Sequence, residues 1–292
     1  GIGRQLVDAG VVEDQRTFRI ALWRSGRDRL LQAGEYRFTE SASALDVIDV
    51  LARGQVHLRT VTFPEGLTRW EMAEVFGRSE FGVAEEFLAA SERADLVEDL
   101  DPDATDLEGY LFPETYALPR GATADDLVEA MLAQFRRTFD DALLAQAAEQ
   151  EMTVRQVVTL ASLIQRETGR DDERPIVSAV YTNRLGRRMP LQCDPTVIYA
   201  LQLDGLYDGN LTRDNLRYDS PYNTYVYPGL PPGPIAAPGA ADLRAALAPA
   251  DVSYVYFVSR NDGSHVFADT LREHNRNVRE YQIEYFRRRR TP

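Results

Sequence analysis

Apolar residues recur along the chain at two competing periods, and the switches between them mark out its elements. Arg4–Ala9 and Asp14–Trp23 read as short helices, while Gly34–Phe38 (GEYRF) alternates like a strand. Ser43 offers a cap for a helix carrying Ala44, Leu45, Val47, Ile48 and Leu51, which stops at Gly54. Val56–Phe63 (VHLRTVTF) alternates again, Pro64-Glu65-Gly66 turns, and Thr68 opens a helix through Val75. Asp95–Asp106 (DLVEDLDPDATD) is acidic and turn-rich, the composition of a linker, and Leu107–Tyr116 (LEGYLFPETY) is aromatic and broken by Pro113. Thr123–Gln150 reads as one long helical pattern with Leu127, Met131, Phe135 and Phe139 on one face. Val154–Glu167 and Arg174–Leu185 follow as helices, the second with Pro175 in its first turn. Met189–Pro238 is loop-rich, dense in proline and tyrosine. Tyr254–Ser259 (YVYFVS) is the clearest strand, and His265-Val266-Phe267 is placed to pair with it across Asn261-Asp262-Gly263. A terminal helix runs from about Thr270 to Arg290.

One residue breaks this pattern. Val157, Leu160, Leu163 and Ile164 form the apolar face of their helix, and Glu167 lies on it, three residues past Ile164 and four past Leu163. Gln165 points nearly the opposite way. A carboxylate on an apolar stripe is costly unless it is paired, protonated or facing a cleft. Three readings stand: a buried salt bridge, a helix end emerging into water ahead of Gly169, or a catalytic acid. Periodicity does not choose among them.

Composition narrows the chemistry. At 292 residues the chain can hold two domains, and 44% hydrophobic content says globular. A net charge of −13 argues against a nucleic-acid partner. One cysteine, Cys193, excludes an internal disulfide framework and reads as a packed small hydrophobe. No run of 18 apolar residues is present, so nothing in the sequence reads as a bilayer span. The chain opens at Gly1, so a missing signal or anchor is uninformative. His57, His265 and His274 are scattered without metal-ligand spacing, which disfavours zinc and a Ser-His-Asp triad. No glycine-rich phosphate loop is found, and no cofactor is expected. What remains is carboxylate chemistry among tyrosine, asparagine and proline, a combination that suits sugars; tyrosine-rich loops also serve protein contacts.

Six motifs in order then carry a resemblance. Leu160–Thr168 (LASLIQRET), Ala179–Leu185 (AVYTNRL), Leu191–Tyr199 (LQCDPTVIY), Ser220–Tyr225 (SPYNTY), Gly229–Gly239 (GLPPGPIAAPG) and His274-Asn275 closely resemble the endolytic murein transglycosylase family, the YceG-like or MltG group. The resemblance covers essentially the whole chain. It implies an α+β fold: a small LysM-like α/β module over residues 1–100, then a larger, mixed, helix-rich catalytic domain over 104–292 with a small β-sheet. It also implies the extracytoplasmic (periplasmic) part of a single-pass inner-membrane protein, lacking here its N-terminal anchor. A family member cleaves the β-1,4 bond between N-acetylmuramic acid and N-acetylglucosamine in nascent peptidoglycan glycan strands. It leaves a 1,6-anhydromuramic end and terminates strand elongation beside the peptidoglycan synthases, which are expected partners.

The resemblance places the catalytic acid at Glu167, since lytic transglycosylases put their glutamate directly before Ser or Thr and Thr168 follows here. Many members carry another glutamate two residues earlier, where this chain has Gln165, so Gln165 marks an alternative catalytic position; helical phase favours Glu167. Protonated and desolvated by Leu163 and Ile164, Glu167 would give its proton to the glycosidic oxygen. Its carboxylate would then take one from the muramic C6 hydroxyl as that oxygen attacks C1, so no second catalytic carboxylate is required. Asp194, Tyr222, Asn223 and Tyr225 are expected to bind substrate. As residues alone they also read as scaffold, Asp194 in a helix cap and Asn223 in an Asx-turn. Asn183-Arg184 reads as structural. The rival function is a non-catalytic peptidoglycan binder or a scaffold of the wall-synthesis machinery.

Overall fold

The computed structural model describes residues 1–39 and 42–290, and the chain divides into two compact units. The smaller unit comprises Gly1–Val61 and returns for Thr115–Thr123. Helix α1 (Ile2–Asp8) leads to α2 (Gln15–Ser25), whose cap Asp14 accepts from the Arg16 and Thr17 amides. Gly26 ends α2 in the left-handed conformation at φ 65°. Helix α3 (Ala44–Ala52) starts at Ser43 with a complete capping box to Asp46. Leu6, Val12, Phe18, Val47, Ile48 and Leu51 form the core of this unit. Strands β1 (Leu58–Thr62) and β2 (Thr115–Pro119) pair in a two-stranded sheet. Gly34–Phe38, expected to be a strand, is irregular. Among the described residues it gains a single backbone bond, His57 N–H to Glu35 C=O, rather than a ladder, and its alternation does not suffice alone.

The larger unit takes Thr62–Glu114 and everything from Ala124 onward. Within this second unit α4 (Arg69–Gly77) and α5 (Ala84–Ser91) pack through Phe63, Phe76 and Phe87. The acidic stretch 95–106 is not a free linker. Asp101 is buried there, accepting from the Tyr110 hydroxyl at 2.7 Å and pairing with Arg155 at 2.6 Å.

The expected long helix over 123–150 is two, α6 (Ala124–Thr138) and α7 (Asp141–Glu149), because Asp140 caps the second through the Ala142 and Leu143 amides. Helix α8 (Val154–Glu167) begins at a Thr153–Gln156 capping box. Residues 157 through 164 are all buried, so its middle is covered on every side rather than on one face, by neighbours including α9 (Arg174–Gly186), α10 (Asp194–Leu203) and α11 (Ala240–Leu247).

Strands β3 (Tyr256–Ser259) and β4 (His265–Ala268) form the expected antiparallel hairpin, with Phe257 opposite Phe267 and Ser259 opposite His265. Its turn holds Asn261 and Gly263 at φ 64° and 86°. The terminal helical stretch is continuous but not uniform. Helix α12 (Leu271–Val278) widens into a π-type segment, Arg279–Glu284, before α13 (Tyr285–Arg290). The hairpin bonds to that segment: Asn261 donates to the Tyr281 carbonyl, and Gln282 donates to the Ser259 carbonyl. Among the described residues no helix is long and apolar enough to cross a membrane. Among the described residues the architecture is α+β, helix-rich with two small sheets.

Candidate active site

Glu167 is the last residue of α8 and lines an open pocket of about 300 Å³, at the small end of ligand sites. The other walls come from five segments far apart in sequence: Arg184 on α9, Leu191, Gln192 and Asp194 before and at the start of α10, Tyr225 in the following loop, the hairpin, and His274 of α12. The Tyr181 hydroxyl of α9 donates to Glu167 Oε1 at 2.8 Å. Burial pushes the Glu167 carboxyl above its ordinary value; hydrogen bonds from Tyr181 and Cys193 oppose this, the Asp194 charge adds to it, and His265 opposes it.

Arginine is close, but it is otherwise engaged. Arg184 is buried and donates to the carbonyls of Val255 at 2.6 Å, Leu191 at 2.8 Å and Pro190 at 3.0 Å, with its guanidinium over the Tyr256 ring. It ties β3 to the approach to α10 instead of neutralising Glu167. Neighbouring Asn183 similarly donates to the Val252 and Tyr254 carbonyls, consistent with a structural role for the pair. Among the described residues no ion pair holds Glu167, and its helix ends at a pocket.

The pocket brings together Glu167, Asp194 and Tyr225, three of the six residues singled out by the resemblance. The Tyr225 hydroxyl donates to Asp194 Oδ1 at 2.6 Å, and burial followed by that bond raises the Tyr225 pKa. Asp194 is exposed at the first turn of α10, where Thr224 accepts from the Cys193 amide and Thr196 sits 2.9 Å from Thr224, fixing the helix start to the SPYNTY loop. The structure leaves Asn223 and Tyr222 outside the lining. Asn223 is fully buried, donating to the Leu216 and Tyr218 carbonyls and accepting from the Tyr225 amide, so it shapes the loop that presents Tyr225. Tyr222 packs on the Tyr199 ring at 5.0 Å.

Gln165 also lies elsewhere. Its side chain abuts the Gly66 turn, where a Cβ on Gly66 would come within 3.2 Å of Gln165 Nε2, and its Oε1 is buried without a hydrogen-bond partner. Leu163 and Ile164 are core residues, absent from the pocket wall; Leu191, Phe257 and Val258 supply its apolar surface. Sequence reasoning set aside His265 and His274 as scattered, yet both line the pocket. The signal that could have found them was their position: one follows the hairpin turn and the other belongs to a motif carrying the resemblance.

The YceG-like family matches residues 1–280. The chain belongs to the YceG-like family. Among curated relatives, the endolytic murein transglycosylase of Bacillus subtilis (strain 168) is 39% identical over 176 residues, 60% of this chain and 48% of that protein. The endolytic murein transglycosylase of Streptococcus pneumoniae serotype 2 (strain D39 / NCTC 7466) is 30% identical over 311 aligned positions, 96% of this chain and 56% of that one. The chain thus spans about half the length of the curated relatives it matches. A crystal structure of a yceG-like protein from Listeria monocytogenes aligns with a TM-score of 0.69 and 28% identity, covering 94% of this chain and 93% of the other.

Proposed function

We propose that this chain is the catalytic part of an endolytic lytic transglycosylase acting on peptidoglycan glycan strands. The observation that carries the reading is Glu167: a carboxyl with a raised pKa, opening on a pocket and held by a tyrosine hydroxyl instead of an arginine. Such a group keeps its proton toward neutral pH and serves as a general acid. Glu167 gives that proton to the oxygen between N-acetylmuramic acid and N-acetylglucosamine. The muramic C6 hydroxyl then closes on C1, leaving a 1,6-anhydro end. With the nucleophile inside the substrate, one carboxyl suffices where hydrolases use two, and the intramolecular attack is entropically favoured. Asp194 and Tyr225, joined to each other, orient the sugar at the pocket mouth. In this reading the protein terminates nascent strands beside the peptidoglycan synthases, with its soluble part outside the inner membrane and a LysM-like N-terminal module.

The test is Glu167→Gln assayed on purified glycan strands, with products read by mass spectrometry. The variant folds as the parent does and loses at least about 100-fold in rate, the usual scale of a general acid. Anhydro ends from the parent support a transglycosylase, and reducing ends would make it a hydrolase. No products at all would leave a binder, the rival reading.

A further inference from the structure

The smaller unit carries a surface that the proposed reaction does not use. Helix α2 turns Phe18 into the core of this unit, with Ala21, Leu22 and Ser25 half-buried on the same side. Its opposite side recurs at helical steps, so Arg16, Arg19, Ile20, Trp23 and Arg24 form one outward stripe. A water-facing stripe normally holds polar residues. Here Trp23 is 81% exposed and Ile20 59%, and Leu45 in the first turn of α3 adds a third apolar side chain at 57%. These three are neighbours, not scattered singles. Ile20 separates two shallow hollows, one lined with Trp23, Arg16 and Arg19, the other with Leu45 and Arg24 among its walls.

Charge on this stripe is of one sign. Among the described residues no ion pair engages Arg16, Arg19 or Arg24. The acids of α2 and α3 are held elsewhere. Asp14 accepts from the Arg16 and Thr17 amides and the Thr17 hydroxyl, Asp46 closes the Ser43 capping box, and Asp49 pairs with Arg27 and Arg53. The unit as a whole also departs from the rest of the chain. It holds ten arginines against eight acidic residues, a net charge of +2 within a protein of −13, so the remainder stands at −15.

We propose that this stripe seats the N-terminal unit on an anionic phospholipid surface. Helix α2 lies along that surface, with Trp23, Ile20 and Leu45 entering the boundary between headgroups and acyl chains, the level an indole ring prefers. Arg16, Arg19 and Arg24 flank them and reach the phosphates, their apolar stems lying along the same boundary. The guanidinium fork matches two phosphate oxygens at once, and every basic residue in this unit is arginine. Charge selects this occupant. An uncharged saccharide gives three unpaired arginines no partner, and an apolar protein groove would strip them of water without replacing it. The contact is reversible, because three apolar side chains and three charges fall far short of a membrane-spanning segment. It stands whether or not Glu167 is the acid.

The experiment is co-sedimentation of the whole chain with vesicles of phosphatidylcholine and phosphatidylglycerol in equal parts, against vesicles of phosphatidylcholine alone. The chain pellets with the mixed vesicles only, and added salt releases it. Replacing Arg16, Arg19 and Arg24 together by Gln weakens partitioning about 100-fold, and Trp23→Ala weakens it about 10-fold. Both variants melt with the parent, since these side chains face water. In Trp70→Phe, Trp23 is the one remaining tryptophan, and its fluorescence shifts to the blue on adding mixed vesicles. Equal binding to both vesicle types, or full binding by the triple variant, overturns the proposal. So does a Trp23 emission that stays put while the chain is vesicle-bound. Capture of the chain by soluble polyphosphate, lost in the triple variant but with no vesicle binding, would make the stripe a polyanion site instead. A dimer abolished by Trp23→Ala, again without vesicle binding, would make it a contact between copies.

Discussion

Removing one hydroxyl, that of Tyr181, tests how Glu167 holds its proton. The Tyr181 O–H donates to Glu167 Oε1 at 2.8 Å and favours the ionised carboxylate, so it works against the burial that raises the pKa. Tyr181 is 1% exposed, so in Tyr181→Phe bulk water does not freely replace the lost donor. The ring keeps its edge-on contact with Phe257 at a centroid distance of 6.2 Å, which leaves the packing intact. A hydrogen bond to a charged group contributes about 1.5–3 kcal/mol, and about 1.4 kcal/mol corresponds to one pH unit. The alkaline limb of the rate profile therefore moves to higher pH in Tyr181→Phe, since the acid form now persists further. The assay is the release of anhydro-ended products from glycan strands, followed by mass spectrometry from about pH 5 to about pH 10. An alkaline limb that stays in place or moves down would show that the tyrosine does not favour the carboxylate, and the electrostatic account of the site would be wrong.

Two further outcomes concern stability. Glu108 in the LEGYLFPETY stretch is buried, and burial lifts its pKa from 4.5 to about 8 against bonds from the Arg69 amide and the Tyr199 hydroxyl. With a raised folded-state value its contribution is full below about pH 4.5 and is lost as pH rises through about 8, so Glu108→Gln melts higher than the parent above pH 8, by a few kcal/mol, and the gap closes in acid. Thermal melts across pH check this; a variant that loses stability at high pH refutes it. Asn223→Ala leaves the Leu216 and Tyr218 carbonyls and the Tyr225 amide without their partner, costing about 2–4 kcal/mol in urea unfolding. An unchanged unfolding midpoint with a raised KM would instead make Asn223 a substrate contact.

Much of this architecture was legible in short stretches of sequence. Helix α8 runs from Val154 to Glu167 as its periodicity says, because Thr153 and Gln156 exchange cap bonds within one turn. Ser43 and Thr68 start their helices for the same reason, and Asn261 with Gly263 turns the hairpin where left-handed backbone is needed. In each case the deciding bonds close over three or four residues, so the local chain specifies them. Alternation misled at Gly34–Phe38, because a strand needs a partner and that partner is a tertiary fact. The break at Asp140 was written in the chain, yet a continuous apolar face concealed it. The sequence also marked Glu167 as a carboxyl out of place. Only packing decided what it faces: Arg184 drawn off by three backbone carbonyls, Tyr181 brought within reach, and His265 fixed by Glu173 across 92 positions of chain. No local rule reaches over that separation. The periodicity says where the carboxyl is, and the buried contacts around it determine whether it holds a proton.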